Sequence, residues 1–181
     1  MPQTVHALNI PQARPGMVAD AGRAKDVISR LAETATGIRA GTLMVPGTDA
    51  ETQALPPTAT GQVSDGDGLG IVMYDASKMP ARTAVAIAVD AEYDDEETLP
   101  IVQKGRIWVL CDDAATVTAN TAAFVRFTAG AGEVLGAFRE DADGGDAVAL
   151  PLAVFRSAHQ DVVFQADTFR IALLEINLPS I

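Results

Sequence analysis

Short apolar runs separated by turn residues dominate the chain after Gly41. Thr42–Pro46 (TLMVP), Leu69–Tyr74 (LGIVMY), Ala84–Val89 (AVAIAV), Ile101–Gln103 (IVQ) and Arg106–Cys111 (RIWVLC) follow one another. Phe124–Thr128, Glu133–Phe138, Leu152–Ser157, Asp161–Gln165 and Phe169–Leu178 complete the series. Runs of this length, bounded by Gly, Pro, Asp and Asn, predict strands. About ten of them with little helix between predict an all-β domain, a β-barrel or a jelly-roll-like β-sandwich. Between Thr42–Pro46 and Leu69–Tyr74 lies a long polar stretch with Pro56-Pro57, expected to be a surface excursion.

The first forty residues read differently. Pro2, Pro11 and Pro15 fix φ and bias their predecessors towards extended backbone, which predicts an extended N-terminal arm. Asp20–Ala35 is the place for at most one short helix, with Val27, Ile28 and Leu31 at helical spacing. Val27, Ser29 and Leu31 also alternate as a strand would, so the segment reads either way. The expected organisation is residues 1–40 as arm and possible helix, and residues 41–181 as the β-rich core.

Composition narrows what such a domain does. Apolar residues make up 48% of 181, enough for a sizeable core, but only 5% are aromatic, so the core is built from many small contacts. The formal net charge of −11 disfavours nucleic acid, because phosphate binding needs clustered Lys or Arg. It disfavours an anionic membrane surface for the same reason. No apolar run approaches the roughly 18–20 residues of a membrane span, and no basic-then-apolar start marks a secretory signal.

Candidate chemistry is sparse. The chain has two histidines: His6 in the proline-rich arm, and His159 in a predicted turn near Asp161. No G-x-S-x-G elbow exposes a nucleophile for such a pair. Cys111, the single cysteine, sits in an apolar run and reads as a small buried hydrophobe. One cysteine and two scattered histidines do not make a zinc site. Asp65-Gly66-Asp67-Gly68 begins like a calcium loop, but Leu69 and Ala76 stand where further ligands belong. Asp141, Asp143 and Asp146 fail similarly, with Leu152 at the twelfth position. The acidic run Asp90–Glu97 reads as a solvated loop. Gly66–Gly70 precedes a strand, not a helix, and so makes no phosphate cradle. These readings predict a protein without catalytic residues, metal or cofactor.

Several segments, in order, carry a resemblance: PGMVADAGRAKDVISRLAE (Pro15–Glu33), IRAGTLMVPG (Ile38–Gly47), KGRIWVLCDD from Lys104, AGAGEVLGAF (Ala129–Phe138), ALPLAVFRSA (Ala149–Ala158) and the closing IALLEINLP (Ile171–Pro179). Taken together they resemble the structural cement, or decoration, proteins of tailed-bacteriophage capsids. The resemblance spans most of the chain and departs in Asp90–Glu97 and around Pro56-Pro57. It implies a β-rich homodimer or homotrimer on the outer surface of the virion, made in the host bacterial cytoplasm, whose partners are the major capsid protein and itself. A receptor- or carbohydrate-binding module of a tail or spike is the competing expectation; Trp108, Tyr74 and Tyr93 are the aromatics it would use. The proline-rich arm and the apolar C-terminal end are the natural bridges to neighbours. The candidate interface residues are Val5, Leu8, Ile10, Arg14, Met17, Val18, Ile176, Leu178 and Ile181.

Overall fold

A computed structural model describes residues 13–19, 26–33, 37–65, 67–75, 92–112, 115–130, 133–164 and 167–178. Two small β-barrels share one long strand path. The first contains β1 (Val27–Ala32), β3 (Leu43–Pro46), β4 (Gln53–Leu55), β5 (Gly70–Val72) and β7 (Thr98–Val102), closed in the order β1-β4-β3-β5-β7. β1 runs antiparallel to β7, from Val27 opposite Val102 to Leu31 opposite Thr98, and parallel to β4. Extended backbone therefore wins at residues 27–32, and the two-way reading of Asp20–Ala35 resolves to a strand there. A helix would leave β7 and β4 without this partner in the ring, and backbone pairing outweighs a weak helical spacing. Ala32, Met44, Ala54, Leu69, Val72, Leu99 and Ile101 are buried in this barrel's core. A two-stranded piece, β2 (Ile38–Arg39) with β6 (Glu92–Tyr93), adds Ile38 and Tyr93 to it.

The polar excursion is more structured than its composition predicts. It supplies β4 and a single helical turn, α1 (Gly61–Ser64), which buries Val63 against the second barrel's core. Asp49 starts the return to β4: its carbonyl accepts the N–H of Thr52 and Gln53, and its carboxylate accepts the N–H of Glu51.

The second barrel is built from β8 (Lys104–Cys111), β9 (Ala122–Arg126), β10 (Phe138–Arg139), β11 (Ala147–Phe155) and β13 (Asp167–Asn177). Its pairings run β8–β13–β11–β9–β10 and return to β8. β12 (Gln160–Phe164) lies outside the ring on the remaining part of β13. The long strands of the apolar pattern are all here, since alternation across β8 and β13 sends Ile107, Val109, Ala172, Leu174 and Ile176 to one interior. Phe138 and Phe155 supply the large side chains that fill it. The run Glu133–Phe138, by contrast, is mostly a turn, with the Ala137 N–H returning to the Val134 carbonyl and only Phe138 in a strand. Ala84–Val89 lies outside the described residues.

Only Gln103 separates β7 from β8, so one strand path runs through both barrels. Gln103 is itself buried, donating its N–H to the Asp26 carbonyl and accepting the Leu178 N–H. Gly136 joins the barrels at a second place: its carbonyl accepts the Leu43 N–H while its own N–H donates to Arg126. It has φ +79°, and a Cβ there would stand 2.6 Å from the Leu43 carbonyl oxygen. A side chain would meet backbone in a conformation L-residues rarely adopt. Gly136→Ala is therefore expected to lower unfolding free energy by about 1–3 kcal/mol in urea titration. Gly61→Ala, where an added Cβ meets nothing nearer than 3.5 Å, is expected to stay within about 0.5 kcal/mol of the parent.

Candidate functional site

The densest polar constellation lies at the end of the second barrel where β9 and β10 meet β8. Arg126 closes β9 with its side chain only 1% exposed. Its Nε donates to Asp112 Oδ2 at 2.8 Å, Nη1 meets Glu133 Oε2 at 2.8 Å, and Nη2 meets Asp143. Arg139, from β10, reaches the same Asp112 oxygen at 3.3 Å, Asp141 at 2.7 Å, and Asp143. Asp143 arrives on a tight turn with φ 45°, followed by Gly144 and Gly145, also at positive φ. Two guanidiniums are thus held among four carboxylates. Asp112 Oδ1 is buried without a hydrogen bond among the described groups.

Burial raises the Asp112 pKa above the ordinary carboxylate value, against the opposing hydrogen bond from Arg126. The Arg126 hydrogen bond lowers that of Asp143. Every acid in the cluster faces an arginine, so the arrangement suits cross-bracing of strand ends and offers no group poised for proton transfer. Two of the calcium-loop candidates, Asp141 and Asp143, are occupied in it. Among the described residues no group of three or more His, Cys, Asp or Glu side chains is placed to hold a metal.

His159 and Asp161 do not form the pair their spacing allows. Asp161 is held by two nitrogens of Arg170, at 2.9 and 3.3 Å. His159 Nδ1 lies 3.0 Å from the Val117 N–H, which it accepts, and the His159 N–H returns to the Val117 carbonyl. Cys111 is buried, and burial pushes its thiol up to about 12. His6 lies outside the described residues.

The three aromatics that would make a sugar platform are each engaged internally. Tyr93 is 1% exposed and donates its hydroxyl to the Met73 carbonyl. Tyr74 lies under Arg14, whose guanidinium carbon is 5.3 Å from the ring centre and whose Nη1 donates to the phenol. Trp108 is half-buried against Leu110, Val162, Phe169 and Ile171.

The predicted interface residues separate into groups. Arg14, Met17 and Val18 come together where the chain lies along β8. There the Gly16 N–H donates to the Trp108 carbonyl, the Trp108 N–H donates to Met17, and Val18 forms a bridge opposite Ile107. Ile176 and Leu178 are each 2% exposed inside the second core, which leaves little of either side chain for a neighbour. Val5, Leu8, Ile10 and Ile181 lie outside the described residues. Sequence reasoning missed a groove of about 520 Å³ beside the junction of the barrels, lined by Ile38, Arg39, Leu55, Pro56, Val134 and Leu135. Its walls come from segments far apart in sequence, so no local signal marks it.

Residues 1–177 match the model of a family described as structural cement protein (E217 gp24/Pam3 gp6). No curated protein matches. Among solved structures, a chain from the capsid of Myoviridae phage XM1 has the same fold. Its TM-score is 0.63 at 15% identity, with 98% of each chain covered.

Removing Asp112 leaves two buried or nearly buried guanidiniums without their shared acceptor. Asp112→Ala is therefore expected to cost about 3–5 kcal/mol in chemical denaturation. Asp141→Ala, at a carboxylate 66% exposed, is expected to cost about 0–1 kcal/mol. Acid should also act through this cluster and the other arginine–carboxylate pairs. The folded pKa values of Asp143, Asp161 and Glu175 are depressed, each mainly by an arginine hydrogen bond, so their stabilisation is complete above the unfolded pKa and lost as pH falls through the folded one. Asp112, raised by burial, works the opposite way. Asp49 is depressed as well, first by a hydrogen bond with the Thr52 side chain. With four groups against one, the melting temperature is expected to fall on acidification below roughly pH 4, measured by calorimetry.

Proposed function

The chain belongs to the structural cement protein family of phage, and from that premise we propose that it binds the outer surface of a tailed-phage head as a homo-oligomer and stabilises the shell. The observation that carries this reading is the family match across residues 1–177, supported by a fold shared end to end with a phage capsid chain. Its partners are the major capsid protein and further copies of itself. Its place is the outside of the virion, after synthesis in the host cytoplasm. The role is structural, not enzymatic.

The physical character of the body fits such a role. A cement protein has to be stiff and has to reach neighbours. Two closed rings on one continuous strand path resist shear, because closure leaves no seam in either ring. The formal charge of −11 keeps decorated particles apart in solution. Many copies, each making modest contacts, reinforce a shell by avidity. The competing carbohydrate- or receptor-binding reading needs an exposed aromatic cluster, whereas Trp108, Tyr74 and Tyr93 are engaged inside this chain.

The purified protein is expected to sediment as a dimer or trimer and to co-sediment with expanded heads. A species that stays monomeric at high concentration and never binds shells would overturn the proposal. Deleting residues 1–12, which end just before the docked segment, should leave the β-sheet circular-dichroism spectrum intact. Shell binding should weaken roughly tenfold or more, through loss of one linked contact.

A further inference from the structure

Two arginines on the outside of the second barrel share one acid. Arg106, opposite Glu175 in the β8–β13 register, and Arg156, just past the end of β11, both donate Nε to Glu175 Oε2, at 2.8 and 3.1 Å. Alternation sends Ile107, Leu174 and Ile176 into the core, so Arg106 and Glu175 face outward. Arg156 Nη1 meets Asn120 at 3.3 Å. Arg106 Nη1 and Nη2, and Arg156 Nη2, have no acceptor among the described residues. The group thus carries one net positive charge and spare donors on a part-exposed face of a chain whose net charge is −11. Close by, at the irregularity in β11, Leu152 is 64% exposed at φ 61°, two residues from Val154, which stands opposite Glu175. A left-handed backbone is costly for leucine, and here it leaves an apolar side chain in solvent.

The matching charge lies at one end of the first barrel. There the end of β1 is held between two turns. The Leu31 N–H donates to the Thr52 carbonyl, the Ala32 N–H to that of Glu97, and the Glu96 N–H to the Ala32 carbonyl. Asp49, Glu51, Asp94, Asp95, Glu96 and Glu97 are thereby gathered near Leu31, itself 41% exposed. Arg30 offsets part of this charge at Asp49. From Thr98, opposite Leu31, to Arg106 the strand path covers eight residues, about 26 Å when extended. The acidic end does not serve the arginines of its own chain, whose sole acid among the described residues is Glu175.

We propose that the outer sheet face around Arg106 and Arg156 is a docking site for the acidic end of the first barrel of a second copy of this chain. Carboxylates of the two turns take the arginine donors that Glu175 leaves over, and Leu31 and Leu152 give each surface an apolar contact among the charges. One chain presents both halves of this charge match, which favours a second copy over a foreign partner. Such contacts either reciprocate in a dimer or run on round a ring. This rests on the homo-oligomer of the proposed function and supplies its contact.

A charge swap tests it. Arg156→Glu reverses the face, and Glu51→Lys with Glu96→Lys, at two exposed turn residues, reverses the end. Circular dichroism checks that each protein is folded. In sedimentation, each variant alone is expected to self-associate at least about tenfold more weakly than the parent. An equal mixture of the two is expected to recover the parent's association, because reversed face then meets reversed end. Raising salt from about 0.05 to about 0.5 M should weaken the parent by screening. Variants that associate as the parent does, or a mixture no better than either variant alone, would overturn the inference. Should a reversal unfold the chain, the neutral Arg156→Gln and Glu51→Gln/Glu96→Gln proteins carry the test, and unchanged self-association in both sinks the contact. Sedimentation of the parent isolates the premise. An oligomer indifferent to salt and to every substitution removes only this contact, whereas a parent that stays monomeric removes the homo-oligomer as well. A monomeric parent whose binding to heads falls with Arg156→Glu would assign the face to the shell and overturn the second copy as its occupant.

Discussion

The architecture depends on how β13 divides its hydrogen bonds. One side of this eleven-residue strand pairs with β8 from Arg170 to Asn177. Its other side is shared: residues 167–171 bind β12, and residues 174–176 bind β11. The β11 pairing closes the second ring, and it does so at only one end of β13. β12 takes the remaining positions on that side of β13 and, among the described residues, stays outside the ring. A closed core and, among the described residues, a strand at the sheet's edge are thus two results of one constraint, the finite number of backbone donors and acceptors on a strand.

Closing a small ring from short strands creates a second demand at the opposite end. β10 contributes two residues and touches β8 through the single register pair Phe138–Cys111. Main-chain pairing is therefore thin where β8, β9 and β10 converge, and there the side chains of Arg126, Arg139, Asp112, Glu133 and Asp143 take over the bracing. Buried charge is a costly brace. Several kcal/mol of desolvation per ion has to be recovered from Coulomb attraction and directed hydrogen bonds, and an apolar filling of equal volume often does as well. Charge adds geometry: a guanidinium fork accepts partners only in its plane and only at fixed angles, which fixes how three chain segments cross.

How much of this was legible follows from how local each signal is. β8, β12 and β13 are runs of apolar and β-branched residues, and the pattern placed all three. β4 was not legible, because Gln53-Ala54-Leu55 gains its strand character from β1 and β3, not from its own letters. Glu133–Phe138 looked like a strand and is mostly turn, because Gly136 at positive φ is needed to join the barrels. The family resemblance was legible in the order of several short segments, and the family match bears it out. The ion cluster had one readable trace, an arginine inside the apolar run Phe124-Val125-Arg126-Phe127, a residue that cannot be buried without acids nearby. Which acids serve it was not readable, since Asp112, Glu133 and Asp143 meet it only through the fold.

The attachment of the N-terminal segment bears on how the molecule carries load. Residues 16–19 hold β8 through the Gly16, Trp108 and Ala19 N–H groups, in antiparallel sense. The Tyr74 N–H binds the Gly16 carbonyl from the first barrel at the same place. Tension on residues 16–19 would therefore enter β8, the strand that follows β7 through Gln103, and so reach both rings. Pulling along a strand loads its hydrogen bonds together, whereas pulling across an edge would open them one at a time. A segment anchored on a loop would tear free of the body before the body shared the force. Anchored here, the segment is tied by main-chain hydrogen bonds to β8 and, through the Tyr74 N–H, to the first barrel as well.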